Sequence, residues 1–309
     1  MISFNKFINS SNFYFKHKIR GLFTSGEVEK SGSHKIIVSF TTLPSRIVNL
    51  KKTINSLLNQ TILPDEIVIS IPELSVREKK KYIIPEFINK IIEKNKNSNY
   101  FIKTPKITIL KSDKDWGPAT KFIPILQREF ENNNDDVVFV IVDDDQIYQR
   151  TMISNFIKYH KKFPNAILCN RGRCLDESFI YSNSKVVLGP KLDQVREVDI
   201  ITGVGGYLLT LKLIDESLWD YKGAPDGAFY MDDIWLSGYF ARNSIIRYSI
   251  PAQSELLFRS KRDKHQSRVF RKNKAQEKTI TLSNIPCEKS DNPREYYNNE
   301  VIEYFKKYW

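Results

Sequence analysis

The chain has 309 residues, 41% hydrophobic and 27% charged, the composition of a globular protein long enough to bury a substantial core. Mean hydropathy is −0.41, no apolar run approaches the about 18 residues of a spanning helix, and three cysteines without a C-x-x-C pair exclude a disulfide scaffold or a cysteine zinc site and point to reducing cytoplasm. Forty-eight basic against 36 acidic side chains leave +12, which favours an anionic partner (phosphate, nucleic acid or a membrane surface) without choosing among them.

Residues 1–33 read as an extension. Phe4, Phe7, Ile8, Phe15, Ile19, Leu22 and Phe23 recur at helical spacing among Lys6, Lys16, Lys18 and Arg20. A basic amphipathic helix of this kind either lies in a membrane interface or docks on the protein's own core, and both readings stay open. Serine and glycine at 25–26 and 31–33 read as a short linker.

From residue 34 strands and helices alternate. Lys35–Thr41 (KIIVSFT) is a short apolar, β-branched run, as expected of a buried parallel strand. Ile47, Leu50, Ile54, Leu57 and Leu58 then form one helical face. Glu66 to Ile71 is the second strand, closed by Pro72. Ser75 and Glu78 have capping-box spacing and predict a helix opening there. Residues 106–110 form a third strand, 119–130 a helix, 137–142 (VVFVIV) the most buried strand, and 149–163 an amphipathic helix. Beyond 170 the pattern is mixed, with strands expected at 179–188 and 198–201. This order predicts an α/β domain over 34–258 with a mostly parallel sheet and helices on both faces, followed by a basic extension over 259–309. Ligands of such sheets sit beyond the carboxyl ends of the strands, so the residues just after each strand are the candidates for chemistry.

Asp143, Asp144 and Asp145 directly follow the VVFVIV strand. Side chains alternate along extended chain, so Asp143 and Asp145 share a side. Adjacent carboxylates repel one another, and hard oxygen ligands at a strand end suit Mg²⁺ or Mn²⁺, which can also hold a diphosphate. The plainer reading is a solvated acidic turn. After the third strand comes DWGPATK, with Trp116, with Gly117 permitting close backbone approach, and with Lys121 one turn into a helix whose N-terminus faces an anion. After the first strand comes FTTLPSR, with Thr41, Pro44 and Arg46; a serine cap and a surface arginine are the plainer alternative. Gly205 and Gly206 lie in a tight GVGG segment. Asp232 and Asp233 begin a helix, where acidic residues already favour the dipole, and where a carboxylate can also serve as a general base.

Taken together, TTLPSR, SLLNQ, PDEIVISIP, DWGPATK, DDD, GVGG and DDIWL resemble the glycosyltransferase-2-like enzymes of GT-A fold, over roughly residues 35–251. The resemblance implies a metal-dependent, inverting transfer of sugar from a nucleotide-diphosphate sugar. Asp145 would ligate the metal, with Asp143 towards the ribose and also near the metal, and Asp144 in the donor site. Asp233 would be the base and Asp232 its acidic neighbour. Thr41, Pro44 and Arg46 would line the nucleotide pocket, Trp116, Gly117 and Lys121 would lie by the donor, and Gly205 and Gly206 would flank donor sugar and acceptor. Asp232 stands where the family more often has Glu. The Q-x-x-R-W segment and membrane helices of the processive members are not found, which implies transfer of one sugar per encounter. Some relatives add a C-terminal histidine to the metal sphere, which makes His265 a candidate ligand; a solvated basic tail is the alternative the charge run favours, and the same stretch could act as a lid. The implied partners are a UDP- or GDP-sugar and a saccharide or lipid-linked acceptor of surface-glycan synthesis, with peripheral membrane contact and no nucleic acid. A nucleotidyltransferase and a basic nucleic-acid-binding protein are the competing readings; the second is disfavoured because clustered carboxylates would repel phosphates.

Overall fold

Four parallel strands frame the fold: β1 (Lys35–Thr41), β2 (Glu66–Pro72), β3 (Lys106–Ser112), which is the sheet edge, and β4 (Val137–Ile141). The computed structural model describes residues 34–96, 104–134, 136–252, 285 and 287–309; the segment 1–33 and the stretch around His265 lie outside them. β1 pairs in parallel with β2 on one side and β4 on the other, and β2 pairs in parallel with β3. Later strands follow: β5 (Ile167–Cys169), β6 (Arg171–Cys174), β7 (Lys185–Leu188), β8 (Arg196–Glu197), β9 (Ile200–Ile201), β10 (Tyr207–Thr210) and β11 (Arg247–Ser249). The large sheet runs β8-β11-β5-β10-β4-β1-β2-β3, with β10 antiparallel to both neighbours, and β9-β6-β7 form a second, antiparallel sheet.

Alternation along the strands divides the interior into two layers. Ile36, Val38, Phe40, Val138 and Val140 face one side, where they meet α1 (Lys51–Leu57) through Ile54 and Leu57, α2 (Glu86–Lys96) through Ile88, and α4 (Met152–His160) through Met152, Ile153 and Phe156. Ile37, Phe139 and Ile141 face the other, against α3 (Ile123–Glu131) and α5 (Asp232–Arg242). This is the expected α/β architecture, a mostly parallel central sheet with helices on both faces. A strand apolar on both faces is stable only when both are covered, and β1, β2 and β4 are, whereas the edge strand β3 leaves Lys106 and Lys111 exposed.

The structure corrects several expectations. No helix opens at Ser75: Leu74–Ser75 and Lys80–Lys81 pair as a small antiparallel hairpin. Half of the capping box does form, since the Glu78 amide donates to Ser75 Oγ at 3.4 Å, but the Glu78 carboxylate is taken by Ser45, whose amide and hydroxyl donate to it at 3.0 and 2.5 Å. The same contact removes Ser45 from the helix-cap role. The helix expected at 119–130 begins as a 3₁₀ turn, Gly117–Lys121, and becomes α-helical only at Ile123. The strand expected over 179–188 shortens to Lys185–Leu188 behind a 3₁₀ turn, Tyr181–Asn183.

The C-terminal residues, read as a basic extension, contain α6 (Pro293–Phe305), capped by the Asn292 side chain. Its Val301, Ile302 and Phe305 are fully buried in the layer that contains α5. Phe305 lies so close to α5 that a Cβ on Gly238 would stand 2.1 Å from its ring. Glycine is required there for the approach, not for its backbone angles. Truncating a fully buried phenylalanine typically costs about 3–5 kcal/mol, so Phe305→Ala should lower unfolding free energy in urea by about that amount. A loss below about 1 kcal/mol would mean that α6 is not part of the cooperative core.

Candidate active site

β1 and β4 run parallel, so the residues after both emerge at one edge of the sheet. From β1 come Thr41, Thr42 and the turn to Arg46; from β4 come Asp143, Asp144 and Asp145. The first 3₁₀ turn after β3 brings Lys121, and the start of α5 brings Asp232 and Asp233.

Lys121 is the meeting point. Its side chain is only 6% exposed, and Nζ lies 3.1 Å from Asp143 Oδ1, 2.9 Å from Asp232 Oδ2 and 3.7 Å from Asp233 Oδ1. Burial alone would lower the pKa of this ammonium; the carboxylates outweigh it and hold it well above its ordinary value. The acidic residues at the strand end and those at the start of α5, about ninety positions apart in sequence, therefore share one cation. Lys121 was expected beside a donor phosphate, yet its ammonium is engaged by the protein's own carboxylates.

Arg46 forms a second node, paired with Asp144 and, at 3.0 Å, with Asp145. Asp144 is buried, accepts from Thr42 Oγ1 at 2.6 Å, and has its carbonyl bonded by Thr53 Oγ1 at 2.8 Å. It thus fastens the β4 end to the loop after β1 and aims Arg46 along the edge. Burial raises its pKa to about 6, against the pull of Arg46 and with the push of Asp145 and Asp143. Asp145 is the open member of the three, with 46% of its side chain exposed. Asp143 is tied down by Tyr148, whose hydroxyl accepts from the Asp143 amide at 2.8 Å and donates to its carbonyl at 3.0 Å.

Asp233 lies between α5 and the glycine segment. Both of its oxygens accept from the Gly203 amide, at 3.1 and 3.0 Å. Its pKa is raised to about 7, first by burial and then by Asp232, while Lys121 and the Gly203 amide hold it down. Gly203 must lack a side chain, because a Cβ would stand 2.7 Å from Asp143 Oδ1 and 2.8 Å from Lys121 Nζ. Gly205 and Gly206 take φ of +83° and +82°, a left-handed pair that turns the chain into β10, and the Gly205 carbonyl accepts from Asn170 Nδ2 at 2.7 Å.

Other expected residues have more structural parts. Gly117, at φ +62°, does permit a close backbone approach, but to the chain itself: its Cβ would be 2.2 Å from the Phe229 carbonyl. The Trp116 ring is buried beside Tyr221, with Lys114 Nζ 3.6 Å above it. Thr41 and Pro44 are half-buried at the edge, whereas the hydroxyl that reaches the carboxylates is that of Thr42. His265 lies outside the described residues. Thr42, Thr53, Tyr148 and Gly203 were not assigned a role from sequence; Thr42 and Gly203 lie inside the FTTLPSR and GVGG motifs, while Thr53 and Tyr148 carry no local signal.

Five carboxylates and the ammonium and guanidinium that pair with them leave this edge with an excess of negative charge, even counting Arg77, which lies within the electrostatic reach of Arg46. Among the described residues, no group of three or more His, Cys, Asp and Glu side chains is disposed to ligate a metal by itself. One or two open carboxylates nevertheless fit Mg²⁺ or Mn²⁺, which commonly completes its shell with water and substrate phosphates.

No protein-family model matches the chain, and no curated protein matches it. Among solved structures, S. aureus TarS residues 1–349, in complex with UDP, is similar at 14% identity over 88% of this chain and 70% of that one, with a TM-score of 0.43.

The Lys121 node yields a pH-dependent prediction. Lys121→Met leaves buried carboxylates without their cation, which typically costs about 3–5 kcal/mol. Asp233, already raised in the wild type, would rise further above its unfolded value near 3.9. A carboxyl raised in the folded state favours folding when protonated and loses that contribution as pH rises through the folded pKa. The deficit of Lys121→Met relative to wild type in urea should therefore be largest at pH 8 and shrink at pH 5. An equal deficit at both values would show that the carboxylates do not depend on Lys121.

Proposed function

We propose that this protein is a glycosyltransferase that moves a single sugar from a nucleotide-diphosphate donor, a UDP- or GDP-sugar, to a hydroxyl of a saccharide or lipid-linked acceptor, with inversion at the anomeric carbon. The observation that supports this reading most is the convergence on Lys121 of a strand-end aspartate cluster with an open member, Asp145, and a second carboxylate, Asp233, whose pKa lies near 7. Such a pairing has a pole suited to a diphosphate and a pole suited to taking a proton, separated by glycine backbone.

Asp145, with Asp143, would hold Mn²⁺ or Mg²⁺. When bound, that ion would neutralise the donor diphosphate and stabilise it as a leaving group. Arg46, aimed along the edge by Asp144, would contact the nucleotide side. Gly203, Gly205 and Gly206 leave room for the sugar beside Asp233. An acceptor hydroxyl is a weak nucleophile at neutral pH, and Asp233 would remove its proton as it attacks C1. Gly203 fixes the carboxylate through both oxygens, and burial keeps it basic enough to accept that proton. One base and one direct displacement give inverted product.

No helix among the described residues is long and apolar enough to cross a membrane. The basic amphipathic sequence of residues 1–33 supports a peripheral place on the cytoplasmic membrane face.

Incubation with a panel of nucleotide sugars and Mn²⁺ should release nucleoside diphosphate with one of them. Asp145→Ala should abolish metal-dependent nucleotide affinity. Asp233→Asn should retain nucleotide binding and lose about 10²–10⁴-fold in transfer. Wild-type transfer should rise with pH through about 7, as Asp233 loses its proton. Release of pyrophosphate would instead identify nucleotidyl transfer, and retained anomeric configuration would overturn the mechanism.

A further inference from the structure

The hairpin that replaced the expected helix at Ser75 has two unlike faces. Its inner face is bound to the loops that border the candidate site. Val76 donates its amide to Asp115 Oδ2 at 2.7 Å, Glu78 accepts from Ser45, and Tyr82 donates its hydroxyl to the Thr42 carbonyl at 2.8 Å. These bonds span the loop after β1 and the loop after β3, so the hairpin is a fixed strap beside the acidic edge.

The outer face is different. Leu74 and Lys81 are directly opposed across the two strands and so share a face. Val76 and Lys79 lie in the turn that joins the strands, and Ile83 lies two residues beyond the second strand. Leu74, Val76 and Ile83 are 50%, 55% and 84% exposed, and Lys79 and Lys81 are exposed beside them. Ser75 is buried on the inner face, while Lys80 opposite it extends out to solvent. Single exposed aliphatic residues are ordinary on any protein. Three of them within ten residues of one anchored hairpin, with exposed Lys79, Lys80 and Lys81 between them in sequence, form an amphipathic surface of defined chemistry.

We propose that this outer face docks on an anionic phospholipid bilayer. Leu74, Val76 and Ile83 would enter the boundary between headgroups and acyl chains, and the ammonium groups of Lys79 and Lys81 would sit at lipid phosphates. The interleaving of aliphatic and basic residues argues for lipid over an acidic protein, because long lysine stems lie along apolar surface and still place their charge at the interface. The chain's net charge of +12 favours the same approach. Docking through this hairpin would hold the candidate site beside the membrane and would favour a lipid-linked acceptor. That consequence rests on the function proposed above; the docking itself does not.

The test is sedimentation of the full chain with phosphatidylcholine vesicles, with and without phosphatidylglycerol. Residues 1–33 are present in every protein compared, so differences report on the hairpin. Wild type should bind the anionic vesicles. Removing charge at an anionic surface costs about fivefold in affinity per lysine, so Lys79→Gln with Lys81→Gln should weaken binding well over tenfold. Ile83→Asn should weaken it at constant charge, and Lys161→Gln with Lys162→Gln, also exposed but distant in sequence, should change it little. Thermal unfolding of each variant should match wild type. Equal vesicle binding by the hairpin variants and wild type, an equal loss in the control pair, or no binding by wild type would each overturn the proposal. Hairpin-dependent binding to polyglutamate without vesicle binding would assign the face to an acidic protein and overturn it too. If vesicle binding follows the hairpin but no nucleotide sugar is consumed, the docking stands and the functional reading fails.

Discussion

A buried ammonium among three carboxylates organises this protein's candidate site. Taking Lys121 out of water is costly, and the cost is met only because Asp143, Asp232 and Asp233 surround it. The constraint is reciprocal. Without Lys121 those carboxylates could not lie together below the surface, and α5 would have no polar link to the end of β4. Gly203 follows from the same geometry, since a side chain would displace the aspartate or the lysine. Arg46 does equivalent work for Asp144 and Asp145. The result is an acidic rim held by internal cations, with Asp145 left open towards solvent.

The sheet makes that arrangement available. Parallel β1, β2, β3 and β4 all discharge their chains at one edge, and the loops after β1, β3 and β4 each bring a different functional group. α6 supports the opposite side of α5 through Phe305, which lies against Gly238 one turn and a half beyond Asp233. The helix that carries the candidate base is thus braced by the last residues of the chain.

Much of this was legible in the sequence, and for physical reasons. Continuous β-branched runs such as VVFVIV have few alternatives to a doubly covered strand, so the parallel strands and the edge where their loops meet could be read directly. The acidic motifs and Lys121 could be placed at that edge. Which carboxylate met which cation could not, because pairing depends on loops with no periodicity. Thr42, Thr53 and Tyr148 are ordinary residues locally and matter only through partners about ninety to a hundred positions away for the threonines. Ser75 and Glu78 carried a true local signal that tertiary contact overrode: Glu78 found Ser45, and the chain turned back as a hairpin. The final helix was obscured by the charge around it, although Tyr297, Val301, Ile302 and Phe305 share a helical face.

The account depends on the two acidic motifs forming one nucleotide-sugar site. Hydrogen exchange of the full chain, measured with Mn²⁺ in the presence and absence of UDP or GDP, tests this most directly. One nucleotide should slow exchange together in the loop at 42–46, at 143–146 and in the glycine segment at 203–206. Slowing confined to a single one of these segments, or slowing by neither nucleotide, would contradict it.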